Sequence, residues 1–309
     1  MADGDPGPTG VAVVDKEAGW TSHDVVARAR KLLGTRRVGH SGTLDPDATG
    51  VLVLGVGRAT RLLRFITTLP KSYTARIVLG TETSTLDASG EITVVHDMSL
   101  IGASDVRRAA AGLVGELQQI PPMVSAVRVG GRRLHEIARE GGEVDRAPRP
   151  VTVHHFEVAA TADPAVYEAS VSCSSGTYVR VLAADLGTAL GGGAHLRDLR
   201  RVAVGSFTVD EARPVDGLQL LPAAVGLRDL PGVIVDEGTA VDVGHGKVLD
   251  RDRLAASGEG PWPVHGPDGT LIAVYEDHQG RSSLPWCLSA NQALGSGSVA
   301  FDGWRSAVT

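Results

Sequence analysis

Cysteine is almost missing from this chain: Cys173 and Cys287 are the only two among 309 residues. Neither belongs to a C-x-x-C pair, which argues against a disulfide framework and for a reducing compartment. The ten histidines show no H-E-x-x-H or Cys/His ligand spacing. The adjacent His154 and His155 sit in an alternating strand pattern that sends neighbours to opposite faces, so no metal site is read. Nowhere do about 18 uninterrupted apolar residues occur, which leaves no candidate for a membrane-spanning helix. The first ten residues are rich in Asp, Gly and Pro and carry no cleavage pattern, so residues 1–9 read as a disordered tail of a cytoplasmic protein. Nucleotide-loop signatures are missing as well. There is no G-x-x-x-x-G-K-[ST], and Gly55-Val56-Gly57-Arg58-Ala59-Thr60 lacks the last glycine of a dinucleotide fingerprint.

What is present is a length suited to about two domains, with ample chain for a core. Hydrophobic residues make up 42% and charged residues 21%, as in a globular protein. The net charge of −6 argues against nucleic-acid binding only if it is spread evenly. It is not. Residues 1–222 carry 24 basic and 25 acidic side chains, while residues 223–309 carry 6 and 11. The positive charge of the first part is clustered at residues 28–64 and again at Arg197, Arg200 and Arg201, so local patches can grip RNA or DNA despite the overall sign.

The stretch Gly39-His40-Ser41-Gly42-Thr43-Leu44-Asp45-Pro46-Asp47-Ala48-Thr49-Gly50 sets one carboxylate, Asp45, in a glycine-rich loop inside the first cluster. Eight Lys/Arg lie between residues 28 and 64 against two acids, Asp45 and Asp47. Such a setting suits a polyanionic substrate, and a nearby cation is expected to hold the carboxylate ionised. An Asp-Pro turn beside a solvated basic helix has the same local sequence. Asp45-Pro46-Asp47-Ala48-Thr49 also fits the D-x-D-x-T loop of aspartyl-phosphate phosphatases. That loop needs a hydrophobic parallel strand ending at its first Asp, and Gly39-His40-Ser41-Gly42-Thr43 cannot form one.

Periodicity predicts a strand at 11–16 and a helix capped by Thr21 or Ser22 and stopped by Gly34. A short buried strand or tight helix follows at 51–56, then an amphipathic segment at 58–68 with Leu62, Leu63, Phe65 and Ile66 inward. Further expectations are a strand at 71–79, a helix at 104–117, a Pro-broken strand at 123–129 and a helix at 133–140. Strands at 151–159 and 165–173, a helix at 178–190 and a strand at 199–209 complete the first part. The irregular order favours α+β over a doubly wound sheet. A change of character near residue 222 divides the chain into 10–222 and 223–309, the latter acidic, Gly-rich and expected to be a small all-β module.

Five separated motifs together resemble the TruB-type tRNA pseudouridine-55 synthases of bacteria, most of all those of actinobacteria. Asp15-Lys16-Glu17-Ala18-Gly19-Trp20-Thr21-Ser22 is similar to the family's D-K-P-x-G-x-T-S, with Glu17 where the family has Pro. Gly39 to Gly50 is similar to its G-H-x-G-x-L-D-P-x-A-T-G loop, Lys71-Ser72-Tyr73 to its K-x-Y, Pro121-Pro122-Met123-Val124-Ser125-Ala126 to its P-P-x-x-S-A, and Gly176-Thr177-Tyr178-Val179-Arg180 to its G-T-Y-[IV]-R. The resemblance implies a pseudouridine-synthase fold with a mixed, mainly antiparallel sheet flanked by helices, followed by a PUA-like β domain. It implies isomerisation of uridine in the T loop of tRNA, with Asp45 as the reacting carboxylate, Arg180 as its guanidinium partner and Tyr73 stacked on the uracil. His40 would fill the gap left by the flipped nucleotide, and Tyr178 and Leu199 would wall the base pocket. No cofactor is called for, because the reaction has no redox change. The T arm of tRNA is the expected partner, with no membrane and no obligatory protein partner. The absence of a heptad or exposed apolar stripe favours a monomer. Two rivals remain: an RNA-folding module whose catalysis is incidental, and a guide-dependent synthase.

Overall fold

The computed structural model describes residues 7–278 and 281–287, apart from Ala126 and Glu143. Most of the expected disordered tail, residues 1–6, lies outside the described residues, as does Ala126 of the P-P-x-x-S-A motif. The chain divides into two compact units, Met1–Gly226 and Leu227–Thr309.

The first unit begins with β1 (Gly10–Lys16), α1 (Ser22–Leu33), β2 (Val38–His40) and β3 (Thr49–Val56). A 3-10 turn over Gly57–Leu62 runs into α2 (Leu63–Thr68), followed by β4 (Lys71–Leu79), β5 (Thr81–Thr83) and β6 (Ile92–Val95). Next come α3 (Ala103–Ala111), β7 (Gly115–Gln119), β8 (Arg128–Val129), β9 (Arg132–Arg133) and α4 (Leu134–Arg139). The unit closes with β10 (Arg149–Ala160), β11 (Val166–Cys173), α5 (Val179–Ala189), β12 (Ala194–Val204) and β13 (Phe207–Thr208).

One sheet organises these elements, in the order β1-β3-β12-β4-β11-β10-β7, with β2 on β3 and β13 on β12. Every pairing is antiparallel except β12 with β3, so the sheet is mixed and mainly antiparallel as expected. Strand β4 shows how sequence sets its faces. Lys71, Tyr73, Ala75, Ile77 and Leu79 alternate inward, because successive side chains of a strand point to opposite sides. Tyr73, Ala75, Ile77 and Leu79 meet Leu182 and Leu186 of α5 and Val106 and Ala110 of α3 in the main core. Val25, Val26 and Ala29 of α1 cover Ala12, Val14, Leu52 and Leu54 in a second cluster.

Three expectations for this unit need correction. The helix expected to run to 117 ends at Ala111, since Gly115 has φ +115°, which no helix accepts, and an edge strand follows. The last long strand begins at Ala194 rather than 199. Asp198 has φ +54° and the register shifts between Arg197 and Arg200, and this bulge hides the alternation on which a sequence reading depends. The strand expected over 123–129 is confined to two residues.

The second unit contains β14 (Val233–Ile234), α6 (Glu237–Gly244), β15 (Trp262–His265), β16 (Leu271–His278) and β17 (Arg281–Cys287), with the strands side by side in that order. Its core gathers Trp262, Tyr275, Val264, Val243 and Leu254. The unit is therefore not all-β. Asp236 caps α6 by accepting the Thr239 N–H at 2.8 Å, a start signal hidden in a Gly-rich stretch.

Candidate active site

Asp45 sits on the connection between β2 and β3, and three buried side chains hold the backbone of that connection. Lys16, at the end of β1, donates to the carbonyls of Glu17, Trp20 and Pro46 at 2.9, 2.7 and 2.9 Å. Burial lowers its pKa to about 8, against the opposing pull of Asp45 and Asp47. Ser22, the first residue of α1, exchanges two hydrogen bonds with Leu44. Its Oγ accepts the Leu44 N–H at 2.9 Å and donates to the Leu44 carbonyl at 3.2 Å. Arg201 of β12 donates from Nε to the Val51 carbonyl at 2.7 Å and from Nη2 to the Gly42 carbonyl at 3.1 Å. Gly50 allows this approach: it has φ +101°, and a Cβ there would lie 2.1 Å from the Arg201 carbonyl oxygen.

Arg180 lies in the first turn of α5 and is 3% exposed. A cation at a helix N-terminus opposes the macrodipole, and two carboxylates compensate it. Nε meets Asp45 Oδ2 at 3.0 Å, and Nη1 meets Asp87 Oδ2 at 3.3 Å. Nη1 and Nη2 also donate to the Thr85 and Val124 carbonyls, each at 2.9 Å. Asp87 is in turn oriented by Thr85 Oγ1 at 2.6 Å and the Ser89 N–H at 3.1 Å. Asp45 Oδ1 has no hydrogen-bond donor among the described residues.

The Arg180 guanidinium does pull the Asp45 pKa down, but the net shift is upward. Burial raises the pKa, Asp87 and Asp47 add to the rise, and the opposing pull of Arg180 and Lys16 does not cancel it. The side chain nevertheless keeps 39% of its surface. The carboxylate is therefore poorly solvated yet reachable, as a reactive acid requires.

A cavity of about 380 Å³ opens beside it, lined by Asp45, Lys71, Tyr73, Tyr178, Leu199 and Arg201 among others, with Arg180 in its wall. Five of the six site residues named from the sequence thus meet in one place. His40 does not line the cavity. Its ring stands edge-on to His23, 5.5 Å between centroids, and its Nδ1 accepts the Gly42 N–H at 3.3 Å. Burial, with His23 and Arg201 nearby, lowers its pKa to about 4, so the imidazole is neutral at physiological pH. A larger depression of about 670 Å³ lies over the outer side of β4, β10 and β11, but its arginine is already paired. Arg76 meets Asp198 at 3.5 Å and Glu168 at 3.8 Å.

The second basic cluster changes meaning. Arg200 forms a bidentate pair with Asp15, at 3.0 and 2.8 Å, and Arg201 is buried beneath the Asp45 loop. In the first cluster Arg28 is paired with Asp216, whereas Lys31, Arg36, Arg37, Arg61 and Arg64 face solvent. Sequence reading missed Asp87, Ser22 and Arg201 as supports of the site. The repeated threonines of Thr81-Glu82-Thr83-Ser84-Thr85-Leu86-Asp87 were the available signal. Among the described residues no group of three His, Cys, Asp or Glu side chains is placed to hold a metal ion, and no helix is long and apolar enough to cross a membrane.

Residues 30–179 match the family model for the N-terminal domain of TruB family pseudouridylate synthases, and residues 180–229 match that of the tRNA pseudouridylate synthase B C-terminal domain. The chain belongs to the TruB family. It is 47% identical over 287 residues to the tRNA pseudouridine synthase B of Nocardia farcinica, covering 89% of this chain and 91% of that one. The corresponding protein of Thermobifida fusca is 46% identical over 286 residues, with 88% and 96% covered. A chain in the crystal structure of a Cbf5-Nop10-Gar1 complex superposes with a TM-score of 0.68 at 25% identity, covering 93% of this chain and 81% of that one. TruB membership accounts for the mixed sheet and for the five motifs read from the sequence.

Proposed function

We propose that this chain converts uridine to pseudouridine at position 55 in the T loop of tRNA, with Asp45 as the reacting carboxylate. The observation that carries the reading is the 3.0 Å pair between Asp45 and Arg180 at the wall of a cavity that also holds Tyr73, Tyr178 and Leu199. The reaction breaks the bond from ribose C1′ to uracil N1, turns the base and joins C1′ to C5. No electrons are gained or lost overall, so the residues need only position, polarise and move protons. Asp45 attacks C1′ or removes a ribose proton. Arg180 fixes the orientation of its carboxylate by a guanidinium contact. Tyr73 stacks on the uracil with its hydroxyl near C5, where a proton is finally lost.

The target uridine is stacked in the T loop and must be extruded, at about a few kcal/mol. Stacking on Tyr73 and contact with Leu199 offset this by roughly 1–3 kcal/mol. The neutral imidazole of His40, one residue before the cavity wall, fills the space the nucleotide leaves. Lys31, Arg36, Arg37, Arg61 and Arg64 hold the phosphate backbone, which makes affinity fall with salt. The second unit acts as a PUA-like support for the tRNA, and the enzyme works in the cytoplasm as a monomer without a guide.

The test is to incubate the purified chain with unmodified tRNA and with a T-arm hairpin, then map pseudouridine. One modified residue at position 55 in both RNAs is expected. Modification only in the presence of a guide RNA or protein partner, or at another position, contradicts the proposal.

A further inference from the structure

Two cations in the cavity wall have no acid partner. Lys71 is 6% and Arg201 2% exposed, both line the cavity, and no carboxylate of the described residues lies within 4.0 Å of either. The Lys71 ammonium donates to the Thr67 carbonyl and, at 2.6 Å, to the Leu69 carbonyl, past the end of α2. Its third hydrogen has no acceptor among the described residues. Arg201 meets the carbonyl oxygens of Val51, Thr43 and Gly42 and the side chain of Tyr73, none of which carries a compensating negative charge. Unpaired buried charge is costly, and apolar residues would pack more cheaply in the same places. Burial and the neighbouring Arg201 pull the Lys71 pKa down to about 8, the expected consequence of two cations crowded without a counter-ion.

The position of the pair suggests its use. Lys71 and Tyr73 project from β4 to the same face, two residues apart, and register pairs Tyr73 with Arg201 across β4 and β12. The two cations therefore flank the tyrosine on which the base is placed. We propose that Lys71, backed by Arg201, takes up the negative charge that develops on the uracil as its glycosidic bond breaks. This rests on the functional reading given above and deepens it.

When the C1′–N1 bond breaks, its electron pair leaves with the base. The resulting anion spreads its charge over N1, O2, O4 and C5. It then uses the electron density at C5 to form the C1′–C5 bond, after which the C5 proton is lost and N1 gains one. Fixed cations in a poorly solvated site stabilise such charge more strongly than water does and need no reorganisation during the step.

The test measures single-turnover rates at saturating enzyme for wild type and Lys71→Met, on tRNA carrying uridine or 5-fluorouridine at the target. Fluorine at C5 withdraws electrons, so the departing base depends less on an outside cation. It also cannot leave as a proton, which isolates bond breaking from the final step. The variant is expected to react about 10²-fold more slowly on uridine with tRNA affinity kept, and by a clearly smaller factor on 5-fluorouridine. Lys71→Gln, which keeps a donor for the α2 carbonyls without charge, is measured in parallel, so a folding failure of Lys71→Met leaves the test standing. Equal slowing on both substrates, or wild-type rates throughout, overturns the inference. Absence of pseudouridine with the wild-type protein would instead refute the functional reading itself.

Discussion

Replacing Arg180 by Met removes a side chain that touches both Asp45 and Asp87, and its consequence can be worked from the geometry. The arginine side chain is 4% exposed and its Asp45 partner 39%. Breaking a buried ion pair by deleting one partner costs about 3–5 kcal/mol, and the partial exposure of Asp45 places the loss near the low end, about 3 kcal/mol. For a unit of this size that corresponds to a melting temperature lower by about 6–12 °C. The loss should depend on pH in a definite sense. The forces remaining on Asp45 are burial and the charges of Asp87 and Asp47, which raise its pKa, against the lesser opposing pull of Lys16. A carboxylate whose folded pKa lies above its unfolded value holds its proton more tightly when folded, so its presence lowers stability as pH rises through the folded pKa. The deficit of Arg180→Met therefore shrinks as pH is lowered from neutral. Thermal melts between pH 4 and 8, repeated with Asp45→Asn added, test this. The added change should restore part of the stability, because it deletes one of the two orphaned charges. A deficit below about 1 kcal/mol that ignores both pH and the residue at 45 would falsify the ion-pair account.

Two further outcomes follow from the same loop. The His40 pKa is lowered from 6.5 to about 4, so wild type should lose up to about 3 kcal/mol as pH falls from above 6.5 through 4. His40→Asn should flatten that slope in pH-dependent denaturation, and an unchanged slope would show that the imidazole is not held neutral. Gly50→Ala sets a Cβ 2.1 Å from the Arg201 carbonyl at a φ of +101°. It should lower stability by more than about 2 kcal/mol and slow turnover by displacing Asp45, as measured by melts and single-turnover rates.

Much of this site could be read from the sequence because its parts obey local rules. The alternation of β4 places Lys71 and Tyr73 on one face, and Gly34 ends α1 in the left-handed conformation at φ +62° that its position requires. The pairing of Asp45 with Arg180, 135 positions apart, came from family resemblance, since no local pattern reports on it. What stayed hidden was non-local or a matter of balance. Arg201 looked like part of an RNA-binding stripe, but a bulge at Asp198 turns it beneath the Asp45 loop, and a sequence does not reveal which arginine of a run is buried. Asp87 could not be joined to Arg180 without the fold. The net direction of the Asp45 shift was not legible, because charge can be counted along a chain, whereas burial cannot.

The measurement that most directly tests the central claim is release of label from C5 of the target uridine in tRNA by Asp45→Asn. The substitution keeps the size of the side chain and removes its charge. The account predicts that the variant binds unmodified tRNA as wild type does, melts no lower than wild type by more than about 1 kcal/mol, and releases no label in a single turnover. Release at the wild-type rate would show that another group does the chemistry assigned to Asp45.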